Sequence, residues 1–166
     1  MPGVLYASVL LHVLAALLWL GGMFFLGVVG APVLRAVEPP ELRQRLFHLL
    51  GERFRGVGWA AIAVLVATGT TNLWARGLLR WEGVLGEPAF WATPFGRALA
   101  LKLVAVTTML VVSAVHDFVL GPAAGRAAPG TPSALGLRRR AALLARWNAL
   151  LGLVVVGAAV FLARGG

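Results

Sequence analysis

The sequence predicts an all-α integral membrane protein, a bundle of four transmembrane helices with an interfacial helix between the first and the second. Three observations support this fold class. The chain of 166 residues is 60% hydrophobic and only 13% charged. Its mean hydropathy is +0.87, and its apolar residues form separate runs long enough to cross ~30 Å of hydrocarbon. We therefore expect a single membrane domain over residues 1–166.

The first half of the chain predicts two spans and a surface segment between them. The first span covers about residues 4–29 and should end before Pro32, because proline removes a helical hydrogen bond. Arginines alternate with leucines over about 41–55, a pattern typical of an interfacial helix. Prolines and acidic residues precede that segment and mark a helix start. The second span covers about 57–75.

The second half predicts two further spans. A long loop over 74–96 is rich in tryptophan and proline, a composition typical of the interfacial aromatic belt. We expect this loop to cap the bundle at the membrane surface. The third span covers about 97–120 and should close at Gly121 and Pro122. After a Gly/Ala/Pro/Ser-rich loop, the fourth span covers about 141–163.

Arginines are distributed unequally between the two predicted sides of the membrane. The first and third connections hold nine, namely Arg35, Arg43, Arg45, Arg53, Arg55, Arg126, Arg138, Arg139 and Arg140, and the second connection and the C-terminus hold four. The positive-inside rule then places both termini outside the cytoplasm in an inner (plasma) membrane. The net charge of +9 suits anionic lipid headgroups, so membrane lipid is an expected partner and nucleic acid is not.

The third span carries an ionisable stripe. Lys102, Met109 and His116 are seven residues apart, and at ~100° per residue they return to nearly the same side of a helix. Lysine and histidine inside a membrane-length apolar run usually face a bundle interior, where they pair with or bind something. The stripe therefore predicts a functional site within the bundle.

A second polar face lies on the first span, where His12, Trp19 and Met23 share one side. At ~1.5 Å per residue, His12 lies about 12 Å and Lys102 about 9 Å below the outer surface, whereas Met23 and His116 both lie about 25 Å below it. The sequence thus predicts two matched pairs. His12 pairs with Lys102 toward the outside, and Met23 pairs with His116 near the inner face.

The residue types indicate a bound metal or haem. Imidazole, amine and thioether groups between bundle helices are the types that make axial ligands for haem iron. The same atoms suit copper, because imidazole and thioether bind reduced copper well. The alternative is that His12 is a hydrogen-bonded core histidine, the methionines pack, and Lys102 extends to the outer face. The chain has no cysteine, which excludes thiolate metal sites, iron–sulfur clusters and disulfides.

Hydrolytic chemistry is not indicated by the sequence. Asp117 is the one carboxylate near an in-membrane histidine, but neighbours on a helix point about 100° apart. We therefore expect His116 and Asp117 not to form a relay by themselves. The sequence also lacks a phosphate-binding loop, a dinucleotide fingerprint and a zinc motif, and it assigns no catalytic residue.

Three segments resemble a known superfamily. The stretch from His12 to Gly22, with its histidine, tryptophan and glycines, resembles the first-helix signature of CopD-type copper-resistance membrane proteins and of HemJ-type protoporphyrinogen oxidases. The stretch 51–55 leading into a helix that ends at 68–69 resembles the arginine-led entry to their second helix. The stretch 96–103 resembles their third helix. The three segments also occur in the same order.

The resemblance implies two functions. HemJ-like proteins are four-helix proteins that carry b-type haem on a first-helix histidine and a third-helix lysine, which correspond to His12 and Lys102. The leading hypothesis is thus a haem b-binding redox protein, with oxidoreductase activity left open and Trp19, Met23 and His116 as further cofactor-binding candidates. CopD-like domains imply the alternative, a copper uptake or resistance component. A third reading is a non-catalytic accessory subunit, in a homo-oligomer or a larger membrane complex, and no pattern identifies an electron-transfer partner.

Overall fold

The computed structural model describes residues 2–79, 83–127 and 131–164, and all regular structure in these ranges is helical. Four helices are long and apolar enough to cross a membrane: Gly3–Arg35, Pro40–Ala75, Pro94–Arg126 and Pro132–Ala163. The predicted class, an all-α membrane protein with four spans, is therefore confirmed. The orientation of the spans and the choice of membrane stay predictions.

The helices follow one another as two helical hairpins. In chain order the elements are α1 (Pro2–Phe25), a π-helical turn (Leu26–Gly30), α2 (Ala31–Arg35), α3 (Pro40–Ala75), a 3-10 turn (Val84–Gly86), α4 (Pro88–Ala92), α5 (Pro94–Val115), a second π-helical turn (His116–Leu120), α6 (Gly121–Arg126) and α7 (Pro132–Ala163). Two compact units result, Met1–Ala92 and Thr93–Gly166. In the first unit α1 packs against α3, and in the second α5 packs against α7. A single domain over 1–166 stays a prediction.

Two prolines that were expected to end helices do not end them. Pro32 and Pro122 each lie two residues after the end of a π-helical turn, and the helix continues to Arg35 and to Arg126. At the end of each π turn a backbone N–H bonds to the carbonyl five residues earlier. This wider turn shifts the carbonyl that a proline ring would strike in an ordinary α-helix. The first and third spans therefore extend beyond their predicted ends.

The predicted interfacial segment, 41–55, is helical but is not a separate helix. It forms the first part of α3, which runs without a break from Pro40 to Ala75. The predicted boundary between residues 55 and 57 falls at Gly56, which is itself helical. A glycine costs a helix only about 1 kcal/mol, so the packing of α3 against α1 outweighs it. The arginine-rich segment is thus an extension of the second span.

Threonine caps move the starts of α5 and α7 toward the N-terminus. The Thr93 side chain accepts a hydrogen bond from the Gly96 N–H at 3.0 Å, and Thr131 accepts one from the Ala134 N–H at 3.3 Å. A proline follows each threonine at the first helical position, where its missing N–H costs nothing. The fourth span therefore begins at Pro132 rather than near residue 141.

The connection between the two hairpins is partly helical. It contains α4, where the Trp91 ring N–H donates to the Leu85 carbonyl at 3.0 Å. The Phe90 ring stands edge-on to the Trp91 ring, with the two ring centroids 5.2 Å apart. Trp81, which was expected in the same cap, lies outside the described residues. The location of this connection at the membrane surface stays a prediction.

The two hairpins share one plan along the sequence. Each hairpin contains a polar residue, then the start of a π turn, then a proline, with the same spacing in both. These positions are His12, Leu26 and Pro32 in the first unit and Lys102, His116 and Pro122 in the second. Buried side chains also recur at matched positions. Ala15 and Trp19 are buried in the first unit, and Ala105 and Met109 in the second. Lys102 thus occupies in its hairpin the position that His12 occupies in the other.

Candidate functional site

His12 lies on α1 and is held by a threonine of α3. Its Nδ1 atom is 2.8 Å from the hydroxyl oxygen of Thr68. That hydroxyl donates its single hydrogen to the Val64 carbonyl at 2.6 Å, a bond that threonines inside helices commonly make. Because its hydrogen is engaged, Thr68 accepts from the Nδ1–H of His12. Neutral His12 therefore carries its proton on Nδ1 and its lone pair on Nε2.

Buried neighbours hold this pair in place. Ser8, one helical turn before His12, donates its hydroxyl hydrogen to the Thr68 carbonyl at 3.3 Å, and both residues are buried. Gly69 follows Thr68, and a Cβ added there would lie 3.5 Å from Cε1 of His12. The His12 ring thus lies beside the backbone of α3 at Gly69, across a space that an added methyl group would just fill. The hydrogen bond between Nδ1 and the Thr68 hydroxyl orients the ring.

Further along α1, aromatic rings on one of the two helices α1 and α3 pack against glycines on the other. Trp19 is buried, and a Cβ added at Gly58 would lie 3.5 Å from its Cδ1 atom. The Phe54 ring covers Gly22 so closely that an added Cβ would overlap it, whereas Gly21 has open space. The close approach of α3 along this face therefore occurs at Gly22, where the Phe54 side chain fills the space.

The second unit contains the predicted stripe of the third span. Met109 is only 2% exposed, and Lys102 and His116 are half-buried. One turn after Met109, the buried Ser113 hydroxyl accepts a hydrogen bond from Nδ2 of Asn148 on α7 at 2.9 Å. Sequence reasoning missed this contact. A serine at helical spacing from Met109 and a lone asparagine within the fourth apolar run were the signals that could have indicated it.

His116 and Asp117 form a hydrogen-bonded pair that the ~100° spacing of helix neighbours did not lead us to expect, and whether they act as a relay stays a prediction. Nδ1 of His116 lies 2.9 Å from Oδ1 of Asp117. The two residues open the second π turn, and a turn with more residues sets neighbours at a smaller angle than the ~100° of an α-helix. The carboxylate accepts from the Nδ1–H, so neutral His116 also carries its lone pair on Nε2.

The two predicted ligand pairs join residues of different units. His12 and Met23 belong to the first unit and Lys102 and His116 to the second, and the pairing of His12 with Lys102 and of Met23 with His116 stays a prediction. Within the described residues, His, Asp and Glu side chains do not gather in threes around a possible metal position. Thr68 and Ser8 are the additional residues that the structure brings to His12.

The fold and its two oriented imidazoles define a multi-pass membrane protein with ligand-type histidines on its spans. Comparison with known families gives the particular group: the model for copper resistance protein D (CopD) matches residues 49–162. The chain belongs to the CopD family. This confirms the CopD part of the predicted resemblance, and the HemJ part stays a prediction.

Comparison with individual proteins gives one partial match. An uncharacterized protein of Aquifex aeolicus (strain VF5) is 40% identical over 63 residues, which cover 37% of this chain and 43% of that protein. The chain therefore matches less than half of that relative's length. No solved structure matches the chain.

Proposed function

We propose that this protein is a membrane component for copper uptake or resistance, and that Nε2 of His12 is a ligand for reduced copper. One observation carries the proposal, the hydrogen bond from the Nδ1–H of His12 to the Thr68 hydroxyl. Metal-binding histidines almost always donate their second ring N–H to an oxygen, which sets the tautomer and makes the ligating nitrogen more basic. Copper is the proposed transported ion because the chain belongs to the CopD family, whose description names copper resistance.

His116 and Met23 are the proposed second pair of copper ligands. The Asp117 carboxylate holds Nδ1 of His116 at 2.9 Å, so His116 has the same tautomer as His12. Imidazole and thioether are both good ligands for reduced copper. In this proposal copper moves between the two histidines, one toward each side of the membrane.

A haem b redox function is the second candidate, and the same oriented imidazole supports it. A porphyrin supplies four nitrogen ligands, so a single histidine is enough for one axial position. Lys102, at the matched position of the second hairpin, would be the second protein ligand. Haem bound there would supply one-electron chemistry. The family description names copper, and we therefore rank copper first, which reverses the order that the sequence alone favoured.

The test is ligand binding by the full-length protein in detergent. Reduced copper is titrated anaerobically, and hemin is titrated with absorption spectra in the oxidised and dithionite-reduced states. We compare wild type, His12→Ala and His48→Ala. His48 is the matched control because its side chain is 63% exposed and lies 3.5 Å from Glu52 on α3. We expect copper binding in wild type, loss of the His12 site in His12→Ala because the ligand itself is removed, and no loss in His48→Ala.

The other outcomes discriminate between the candidates. A Soret band that disappears in His12→Ala, with no bound copper in wild type, would replace copper by haem b. Copper binding that survives His12→Ala but is lost in His116→Ala would move the site to the second pair. A protein that binds neither copper nor hemin would contradict both functions and support the accessory-subunit reading.

A further inference from the structure

A shallow cavity of about 450 Å³ lies in the second unit, between the start of α5 and the end of α7. We call it the Arg97 groove. Its lining residues are Pro94, Arg97, Ala98, Leu101, Gly157, Ala158 and Phe161. All but one of these side chains are apolar, so the groove presents one cation above a hydrocarbon-like wall.

No aspartate or glutamate of the second unit belongs to this end of the hairpin. Arg97 lies in the first turn of α5, where the helix dipole disfavours a cation. Arg164 follows the last turn of α7 at the same end. The sequence of 93–166 contains one acidic residue, Asp117, and it lies beyond the far end of α5. None of the ion pairs formed by described residues includes Arg97.

The wall of the groove has room for a chain-like ligand. Gly157 borders open space, since a Cβ added there would meet no atom within 4 Å. Phe161, one turn further along α7, is 46% exposed. A small residue beside an exposed aromatic ring leaves a furrow that an acyl chain could follow from the arginine toward the membrane interior.

We propose that the Arg97 groove is a binding site for a phospholipid with an anionic headgroup. Arginine forms charge-assisted, often bidentate, hydrogen bonds with phosphate, and the start of α5 adds the favourable end of the helix dipole. An acyl chain of the same molecule lies against Leu101, Gly157 and Phe161. The groove therefore recognises both ends of one lipid, and this site is independent of the copper proposal.

The test is native mass spectrometry of the full-length protein in detergent, titrated with phosphatidylglycerol or with phosphatidylcholine of identical acyl chains. We expect phosphatidylglycerol to bind about tenfold more tightly. Gly157→Leu fills the furrow and should weaken both lipids. Arg97→Gln should abolish the preference, weakening phosphatidylglycerol more than phosphatidylcholine, because the choline cation of phosphatidylcholine already offsets the charge of its phosphate. Gly136→Leu, also in open space on α7, and Arg146→Gln, exposed on α7, are the matched controls and should bind as wild type does.

The opposite results would overturn the site. Equal binding of the two lipids by wild type, or wild-type binding by Gly157→Leu, contradicts the proposal. Full competition by inorganic phosphate alone would show an ion site without a lipid chain. Circular dichroism and gel filtration confirm that each variant is folded. Gly157→Ala, which adds one methyl group to open space, should give an intermediate loss even where Gly157→Leu does not fold.

Discussion

The Nδ1 atom of His12 lies 2.8 Å from the hydroxyl oxygen of Thr68, and that hydroxyl in turn donates to the Val64 carbonyl at 2.6 Å. The chain of two bonds sets the tautomer of a histidine inside a membrane span. It also connects α1 to α3. A second bond between these helices runs from the Ser8 hydroxyl to the Thr68 carbonyl.

Thr68→Val should weaken metal binding at His12 without unfolding the protein. Valine has the same shape as threonine but offers no acceptor, so the Nδ1–H loses its partner and the ring loses its fixed tautomer. Loss of such an oxygen partner typically reduces metal affinity about 10- to 100-fold. The affinity for reduced copper is measured by anaerobic titration.

Two variants make this prediction specific. Thr71→Val removes a hydroxyl that donates to the Ala67 carbonyl at 2.9 Å on the same helix, and it should bind copper as wild type does. Thr68→Ser restores the acceptor and should recover most of the affinity. Equal affinity in wild type and Thr68→Val would show that the hydrogen bond does not prepare His12 for metal.

Gly22→Ala should destabilise the first hairpin. The added Cβ would overlap the Phe54 ring, and overpacking of this kind typically costs about 1–3 kcal/mol. Thermal unfolding in detergent measures the difference. Gly21→Ala is the control, because a Cβ there meets nothing within 4 Å. The double variant Gly22→Ala/Phe54→Leu should recover stability, and failure to recover it would mean that the ring is not the obstacle.

Ser113 and Asn148 should show a measurable coupling energy. The amide donates to the hydroxyl at 2.9 Å and both residues are buried between α5 and α7. Interhelical hydrogen bonds in membrane proteins contribute about 0.6 kcal/mol on average and up to about 1.7 kcal/mol. A double-mutant cycle with Ser113→Ala and Asn148→Ala, measured by unfolding, isolates this term. Additive effects of the two substitutions would contradict the contact.

Both predicted sides of the membrane can be labelled, because the chain has no cysteine of its own. Glu87→Cys places one thiol in the connection between the two hairpins and Ser133→Cys places one in the first turn of α7, and both positions are exposed. The positive-inside rule puts residue 87 outside the cytoplasm and residue 133 inside. In intact cells, a membrane-impermeant maleimide should therefore label Glu87→Cys and not Ser133→Cys. The reverse pattern would invert the predicted topology.

Several helix boundaries could be predicted from the sequence, but from capping residues and prolines rather than from hydropathy. The Thr-Pro pairs at 93–94 and 131–132 mark the starts of α5 and α7, because threonine caps a helix and proline suits its first position. The prolines at 32 and 122 are harder to interpret. A proline usually ends a helix, and only the π turn before each one lets the helix continue.

The sequence by itself determined the four spans, because the hydropathy of a run depends only on the residues within it. It also singled out His12, Lys102, Met23 and His116, since ionisable and sulfur-bearing side chains are rare and costly in such runs. Only the tertiary structure placed Thr68 at Nδ1 of His12, a contact between residues on two different helices. That contact depends on how α1 and α3 pack along their length, and the register of two packed helices is a property of both sequences together. The tautomer of His12, and with it the proposed metal chemistry, follows from that register.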